Sequence, residues 1–316
     1  MSARNDHSEA DRALLAAVAR AHYLEGRSRI DIAETFGVSR FKVARLLARA
    51  SVEGIVTIQV NDAGLPDSAL AGRLGRALRL EECRVVRSHG DDDAVRHHVG
   101  AAAAALLSET LRPGEVLGVA WGRTLTATTS QLDHLPRLSV VQLTGVVARD
   151  IAASPIEVAW QVFSRSGGEV HPIFAPLFVP DAETSASLRE HADVRSTTTL
   201  FPEVTTALLS VGSWNPPDTQ LLDVLPPEVL ARAAGRVAAD IAGILVTGEG
   251  LPVDPALQDR CITISYEQLR AVPRVVAVAA GASKADAVRA VAQAGLITEL
   301  VTDHTLALAI LADADA

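Results

Sequence analysis

Three stretches of this sequence carry side chains suited to an anionic sugar, and a fourth carries side chains suited to nucleic acid. Gly122-Arg123-Thr124 follows an apolar run and opens a helix-like pattern. A glycine at such a junction lets the backbone come close to a ligand. The free N–H groups of a first helical turn then attract an anion. Thr124, with Thr126, Thr128 and Thr129 after it, adds hydroxyl donors. Gly281 to Lys284 repeats the arrangement, and a lysine in a first turn is unfavourable unless it faces an anion or points to water. Asp240, at the edge of a third apolar run, can accept hydrogen bonds from sugar hydroxyls or cap a turn. In the fourth stretch Arg40, Lys42, Arg45 and Arg49 alternate with Val43, Leu46 and Leu47. That is the basic outer face of a helix able to enter the DNA major groove.

The elements that must position these groups are legible from periodicity. Residues 27–50, RSRIDIAETFGVSRFKVARLLARA, predict a helix-turn-helix. Ile30, Ile32, Ala33 and Phe36 form one apolar face, and Val43, Leu46 and Leu47 the next. Gly37 supplies the sharp turn, where a positive φ costs glycine nothing. Ser39 is placed to cap the second helix. Arg27, Arg29, Ser39, Arg40, Lys42 and Arg45 are the expected DNA contacts. A helix over 11–25, with Leu14, Leu15, Val18 and Tyr23 as core candidates, precedes the motif, and a strand over 55–60 follows it. From Arg12 to Ala50 there are eight basic and three acidic residues. This segment therefore carries +5 in a chain of net charge −9, leaving −14 elsewhere. A basic patch on an acidic protein is an electrostatic footprint for phosphate backbone.

Asn61, Asp62, Gly64 and Pro66 mark a break between a first domain, 1–60, and a second, 61–316. In the second domain helices are expected near 67–78, 95–111, 124–132, 154–165, 283–294 and 303–312. Apolar strands are expected at 83–87, 115–122, 138–147, 206–211, 241–246 and 274–279. Continuous apolar strands alternating with helices predict an α/β domain whose parallel sheet is covered on both faces. Ligands of such sheets sit at the carboxyl ends of the strands, where the three anion-type stretches would converge.

Composition narrows the classes. At 316 residues and 48% hydrophobic the chain suits two domains with a full core. No apolar run is long enough for a membrane span, and the polar start MSARNDHSEADR lacks a signal core, so a cytoplasmic protein is expected. Cys83 and Cys261 form neither a disulfide framework nor a zinc spacing. His97 and His98, adjacent on a helix, point about 100° apart and cannot share an ion. Only two of the 29 basic residues are lysines, Lys42 and Lys284, and each falls in one of the two candidate sites.

The chain resembles the SorC family of sugar-responsive bacterial transcriptional regulators, within the wider DeoR-type group. The resemblance rests on IAETFGVSRFKVARLLARASVEGIV, LRPGEVLGVAWGRTL, ADIAG and VAVAAGASKADAVRAVAQAGLITELVTDHTLALAIL, and covers nearly the whole length. It implies a winged helix-turn-helix joined to a Rossmann-like effector domain similar in fold to sugar-phosphate isomerases. It also implies a homo-oligomer, dimeric or tetrameric, that binds double-stranded operator DNA and answers to a phosphorylated sugar. By position Gly122, Arg123 and Thr124 would belong to the phosphate loop, Asp240 would meet sugar hydroxyls, and Gly281 and Lys284 would close the site. Asp303 matches the Thr-Asp of the last segment, although His304 stands where the family often has Glu. Some relatives hold the sugar as a Schiff base on a lysine near the strand that here reads VVQLTGVV. No lysine occurs there, so no covalent link is expected.

Two rivals remain open on the sequence. One is a sugar-phosphate isomerase or deaminase with a DNA-binding appendage, for which Asp240 and Glu249 are the available bases. The other is a DNA-binding protein whose second domain only oligomerises. No G-x-S-x-G and no complete dinucleotide fingerprint is present, and no catalytic residue, metal or cofactor is expected.

Overall fold

A computed structural model describes residues 3–56, 62–147, 153–253 and 255–312. The chain divides into two compact units, Met1–Asn61 and Asp62–Ala316.

The first unit is built from α1 (Ala3–Tyr23), α2 (Arg29–Phe36) and α3 (Arg40–Val52). Leu15, Val18, Ile32, Val43, Leu46, Leu47 and Ala50 form its core. The turn between α2 and α3 is Gly37, left-handed at φ 63°, whose N–H reaches back to the carbonyls of Ala33 and Glu34. The Ser39 hydroxyl accepts from the Lys42 N–H at 3.2 Å and caps α3, a contact worth about 1 kcal/mol. Ser28 and Asp31 close a reciprocal capping box on α2. Two expected core residues are not core. Ile30 is 58% exposed and Tyr23 43% exposed. Ile30 and Ile32 are two residues apart, hence about 200° apart around the helix, and cannot share a face. Tyr23 is the last residue of α1, off the stripe of Leu15 and Val18. The strand expected over 55–60 lies mostly outside the described residues, and Ile55 and Val56 are not in a strand.

The second unit contains strands β1 (Glu82–Val86), β2 (Val116–Val119), β3 (Ser139–Gln142), β4 (Glu169–His171), β5 (Thr206–Trp214), β6 (Pro217–Asp218), β7 (Ala239–Ile241), β8 (Ile244–Val246), β9 (Arg274–Ala279) and β10 (Glu299–Asp303). Its helices are α4 (Ser68–Leu78), α5 (Asp92–Thr110), α6 (Arg123–Thr129), α7 (Pro155–Ser166), α8 (Ala182–Glu190), α9 (Ala192–Thr198), α10 (Pro227–Ala233), α11 (Pro255–Gln258), α12 (Tyr266–Ala271), α13 (Ala285–Gln293) and α14 (His304–Ala312).

The main sheet runs β1-β10-β9-β5-β2-β3-β4, with parallel neighbours throughout. Side chains alternate across it. In β9, Val275, Ala277 and Ala279 join the core that includes α4, α13 and α14. Val276 and Val278 join the core formed with α5, α6 and α7. Three layers result, as continuous apolar strands require. From β2 the chain proceeds outward through β3 and β4. From β5 it proceeds the other way through β9 and β10. The direction therefore reverses between β2 and β5, and such a switch point opens a crevice at the carboxyl ends of the strands.

The sheet is not wholly parallel, which corrects one expectation. Residues 241–246 are not a further parallel strand. β7 and β8 form an antiparallel hairpin, and β7 pairs antiparallel with the end of β5, through Val211↔Ile241 and Gly212↔Asp240. β6 also folds back on β5. The Ala242-Gly243 dipeptide, with φ of 49° and 78°, makes the hairpin turn. These short strands form a flap on the carboxyl end of β5. The apolar run alone does not distinguish one parallel strand from two short antiparallel ones. β10 is absent from the expected strands, because its five residues sit between two helices and read as a helix start.

Candidate functional site

In the first unit α3 presents Arg40, Phe41, Lys42 and Arg45 to solvent, opposite the buried Val43, Leu46, Leu47 and Ala50. Arg29 is also exposed. Arg27 is half-buried, with its guanidinium on the Asp31 carbonyl and the Thr35 hydroxyl, so it braces α2. Arg49, on the same basic face by sequence, is tied to Asp11 at 3.0 Å and Glu53 at 2.8 Å. The cationic face open to solvent is therefore narrower than the run of charges indicates. Sequence reasoning missed Phe41, which is 69% exposed beneath the Arg40 guanidinium. An exposed apolar side chain there suits the thymine methyl of a major groove.

In the second unit a cleft lies at the carboxyl ends of β2 and β5. Five of the seven expected effector residues line it, namely Gly122, Arg123, Thr124, Asp240 and Lys284, with Trp121, Ser210 and Gly212 between them. Gly122 leads from β2 into α6 at φ 145°, and a Cβ on it would stand 2.2 Å from Ser210 Oγ. No other residue fits that close crossing of β2 and β5. Thr124 lines the cleft, but the hydroxyls of Thr126, Thr128 and Thr129 are spent on Gly122, Thr124 and Thr126 carbonyls or on Gln161. They do not serve as the extra donors expected from the sequence.

Lys284 ends a single 3₁₀ turn, and its ammonium is turned inward, with the residue 7% exposed. It donates to the Val211 carbonyl at 2.7 Å and pairs with Asp218 at 3.2 Å. Burial pushes its pKa down to about 8, while Asp240 pulls it up and Arg123 pushes it further down. Asp240 is buried on β7, and burial pushes its carboxyl up to about 6 against the Thr219 hydroxyl and the Lys284 charge. Its Oδ1 has no hydrogen-bond partner among the described residues. An orphaned buried carboxylate oxygen is costly unless a ligand donates to it. Gly212 makes this packing possible, since a Cβ there would lie 2.2 Å from that oxygen.

Gly281 and Asp303 stand behind the cleft. Asp303 is fully buried and accepts from the N–H groups of Gly281 at 2.7 Å, Thr305 at 2.9 Å and Leu306 at 3.2 Å, and from the Thr305 hydroxyl. One carboxylate thus caps α14 and fixes the loop that delivers Lys284. His304 accepts from the Ser88 N–H at 3.3 Å. Sequence reasoning also missed Arg96, Asp218, Thr219 and Gln220 at the cleft. The last three lie in WNPPDTQ, which reads as a turn, and only the flap brings it to the site. Among the described residues no group of three or more His, Cys, Asp or Glu could hold a metal ion. Cys83 and Cys261 are free thiols, both pushed up to about 12 by burial.

Comparison with known proteins agrees with this architecture. Residues 66–312 match a family model described as "Putative sugar-binding domain". The transcriptional regulator LsrR of Enterobacter sp. (strain 638) is 30% identical over 304 residues, 95% of this chain and 93% of that protein. The erythritol catabolism regulatory protein EryD of Brucella abortus (strain 2308) is 28% identical over 318 residues, 96% of this chain and 98% of that one. The full-length sorbitol operon regulator SorC from Klebsiella pneumoniae superposes with a TM-score of 0.68 at 21% identity, covering 95% of this chain and 99% of that chain. The chain belongs to the SorC family of sugar-binding transcriptional regulators.

Proposed function

From this membership and the geometry of the two units, we propose that the protein is a cytoplasmic, sequence-specific DNA-binding regulator of carbohydrate genes, controlled by a phosphorylated sugar. Residues 1–60 bind the operator and residues 61–316 bind the effector and oligomerise. Arg29, Arg40, Lys42 and Arg45, with the N-terminus of α3 capped by Ser39, face the DNA. Arg27 acts by holding α2. The effector phosphate lies at Gly122-Arg123-Thr124 beside Lys284, and Asp240 accepts from sugar hydroxyls. Gly281 and Asp303 position Lys284 without touching the ligand.

The observation that carries this reading is the cleft itself. Three stretches remote in sequence meet at one switch point, with two cations, a glycine-lined backbone approach and an unpartnered buried carboxylate oxygen. A scaffold that only oligomerised would gain nothing from burying that oxygen unpaired. The relatives are named as regulators, which supports a regulator over an enzyme. Control is allosteric: the sugar phosphate binds two arrangements of the oligomer with different affinity, and the spacing of recognition helices on dimeric or tetrameric half-sites follows. No described helix is long and apolar enough to cross a membrane.

Fluorescence anisotropy of labelled DNA from upstream of the protein's own gene tests it, at fixed salt and with a panel of sugar phosphates. Specific binding altered by one of them is the expected result. Specific binding that no member alters would remove the effector half of the proposal, and no specific binding would remove the regulatory half.

A further inference from the structure

The cations of the cleft already hold an anion. Asp218 sits on β6, at the tip of the flap, paired to β5 through Ser213↔Asp218. One of its carboxylate oxygens meets the Arg123 guanidinium and the other lies 3.2 Å from the Lys284 ammonium. These are the two cations assigned to the effector phosphate. With Asp218 in place the cleft holds only about 30 Å³ of free space, room for one or two water molecules. A phosphate that meets both cations must take the place of this carboxylate.

We infer that Asp218 is an internal competitor for the effector's anionic group, occupying the phosphate position until a more highly charged ligand displaces it. The inference rests on the proposed effector site and names what that site selects. A neutral sugar offers the cations nothing in exchange for the carboxylate. A monoanion replaces one negative charge with one and gains little. A phosphomonoester brings close to two negative charges and three acceptor oxygens, enough to engage Arg123, Lys284 and the backbone of the Gly122 turn together. The device is positioned for release. The Asp218 side chain is 25% exposed on a two-residue strand, so it can swing into water with the flap, whereas Lys284 keeps its bond to the Val211 carbonyl. Thr219 and Gln220, next in the chain and also on the cleft, move with it. Displacement of Asp218 by an effector therefore shifts the flap, and a ligand-coupled movement begins there.

The test is calorimetric titration of the full-length chain with inorganic phosphate at pH 8, for the wild type, Asp218→Asn, Asp218→Ala and Lys284→Ala. Both Asp218 variants should bind phosphate at least tenfold more tightly than the wild type, and Lys284→Ala should lose binding. Acetate, a monoanion, should not compete with phosphate on the wild type. If the wild type binds phosphate through Lys284 but neither Asp218 variant binds it more tightly, the competitor idea is wrong and the effector site stands. Effective competition by acetate would overturn the charge criterion. If no form binds phosphate, including both Asp218 variants, the anion site itself is misassigned. Cooperative melting of each variant establishes that it is folded.

Discussion

The two lysines of this chain stand in opposite surroundings, and the contrast separates two ways of using positive charge. Lys42 lies on α3 exposed to water, with Arg40 and Arg45 beside it and no carboxylate paired to it among the described residues. Lys284 is buried, hydrogen-bonded to a carbonyl, faced by Asp218 and Asp240, and depressed to about 8. An exposed array suits a long polyanion, because each cation it places on a phosphate releases counterions from the polymer. A buried, neutralised pair suits a small anion, because it rewards only a ligand that replaces its partners. Neighbouring charges on α3 that are tied down, such as Arg49, belong to the structural set.

The comparison breaks most visibly at Lys284. Lys284→Ala should weaken sugar-phosphate binding a hundredfold or more, since it removes one of the two cations proposed to meet the phosphate, a loss of about 3 kcal/mol. Operator binding without effector should change little in anisotropy titrations. Arg45→Ala should do the reverse, with operator affinity falling roughly ten- to a hundredfold, as for loss of a base or phosphate contact of about 1–3 kcal/mol. Its calorimetric response to phosphate should be that of the wild type. If both variants impaired both activities equally, the two charge sets would not be separable.

A third substitution sharpens the role of the backbone. Gly122→Ala should lower stability by about 1–3 kcal/mol, read by denaturant unfolding, because a side chain must collide with Ser210 at a φ that L-residues rarely adopt. A fall confined to phosphate binding, with no loss of stability, would show that the β2–β5 crossing is more yielding than its geometry implies. The effect at Asp240 depends on pH and vanishes at the acid end. Its pKa is raised on folding, so it contributes stability that is full below about 4 and lost as pH rises through about 6. Asp240→Asn should therefore match the wild type near pH 4 and exceed it by roughly 3 kcal/mol at pH 7, while losing affinity for the sugar. A constant difference across that range would mean the carboxyl is not the buried acid described.

The sequence makes much of this molecule legible, and the reason is locality. The helix-turn-helix is a local motif, so spacing, Gly37 and Ser39 are sufficient to place it. The anion stretches are local too, because each is a strand end followed by a turn or helix start. The parallel sheet follows from apolar runs too continuous for one-sided burial. What stays hidden depends on long-range pairing. Asp218 and Gly212 acquire their meaning only when β6 and β7 fold back on β5, and no period in the sequence encodes that. Asp303 is legible as a notable residue but not in its role, since a carboxylate that caps and one that binds are the same letter. Ile30 and Tyr23 fail for a simpler reason, a helical angle not followed through.

The flap has a consequence for selectivity within the proposed site. On the proposed reading the anion contacts come from loops of the parallel sheet, where the crossing at Gly122 leaves no room for a side chain. Asp240, Thr219 and Gln220 arise from short antiparallel strands appended to β5 and the chain beside them. The proposed sugar contacts thus lie on the flap, which meets the phosphate loop through Asp218. On the proposed reading, substitution of Thr219 or Gln220 should change which sugar is taken while leaving the packing of the Gly122 turn intact.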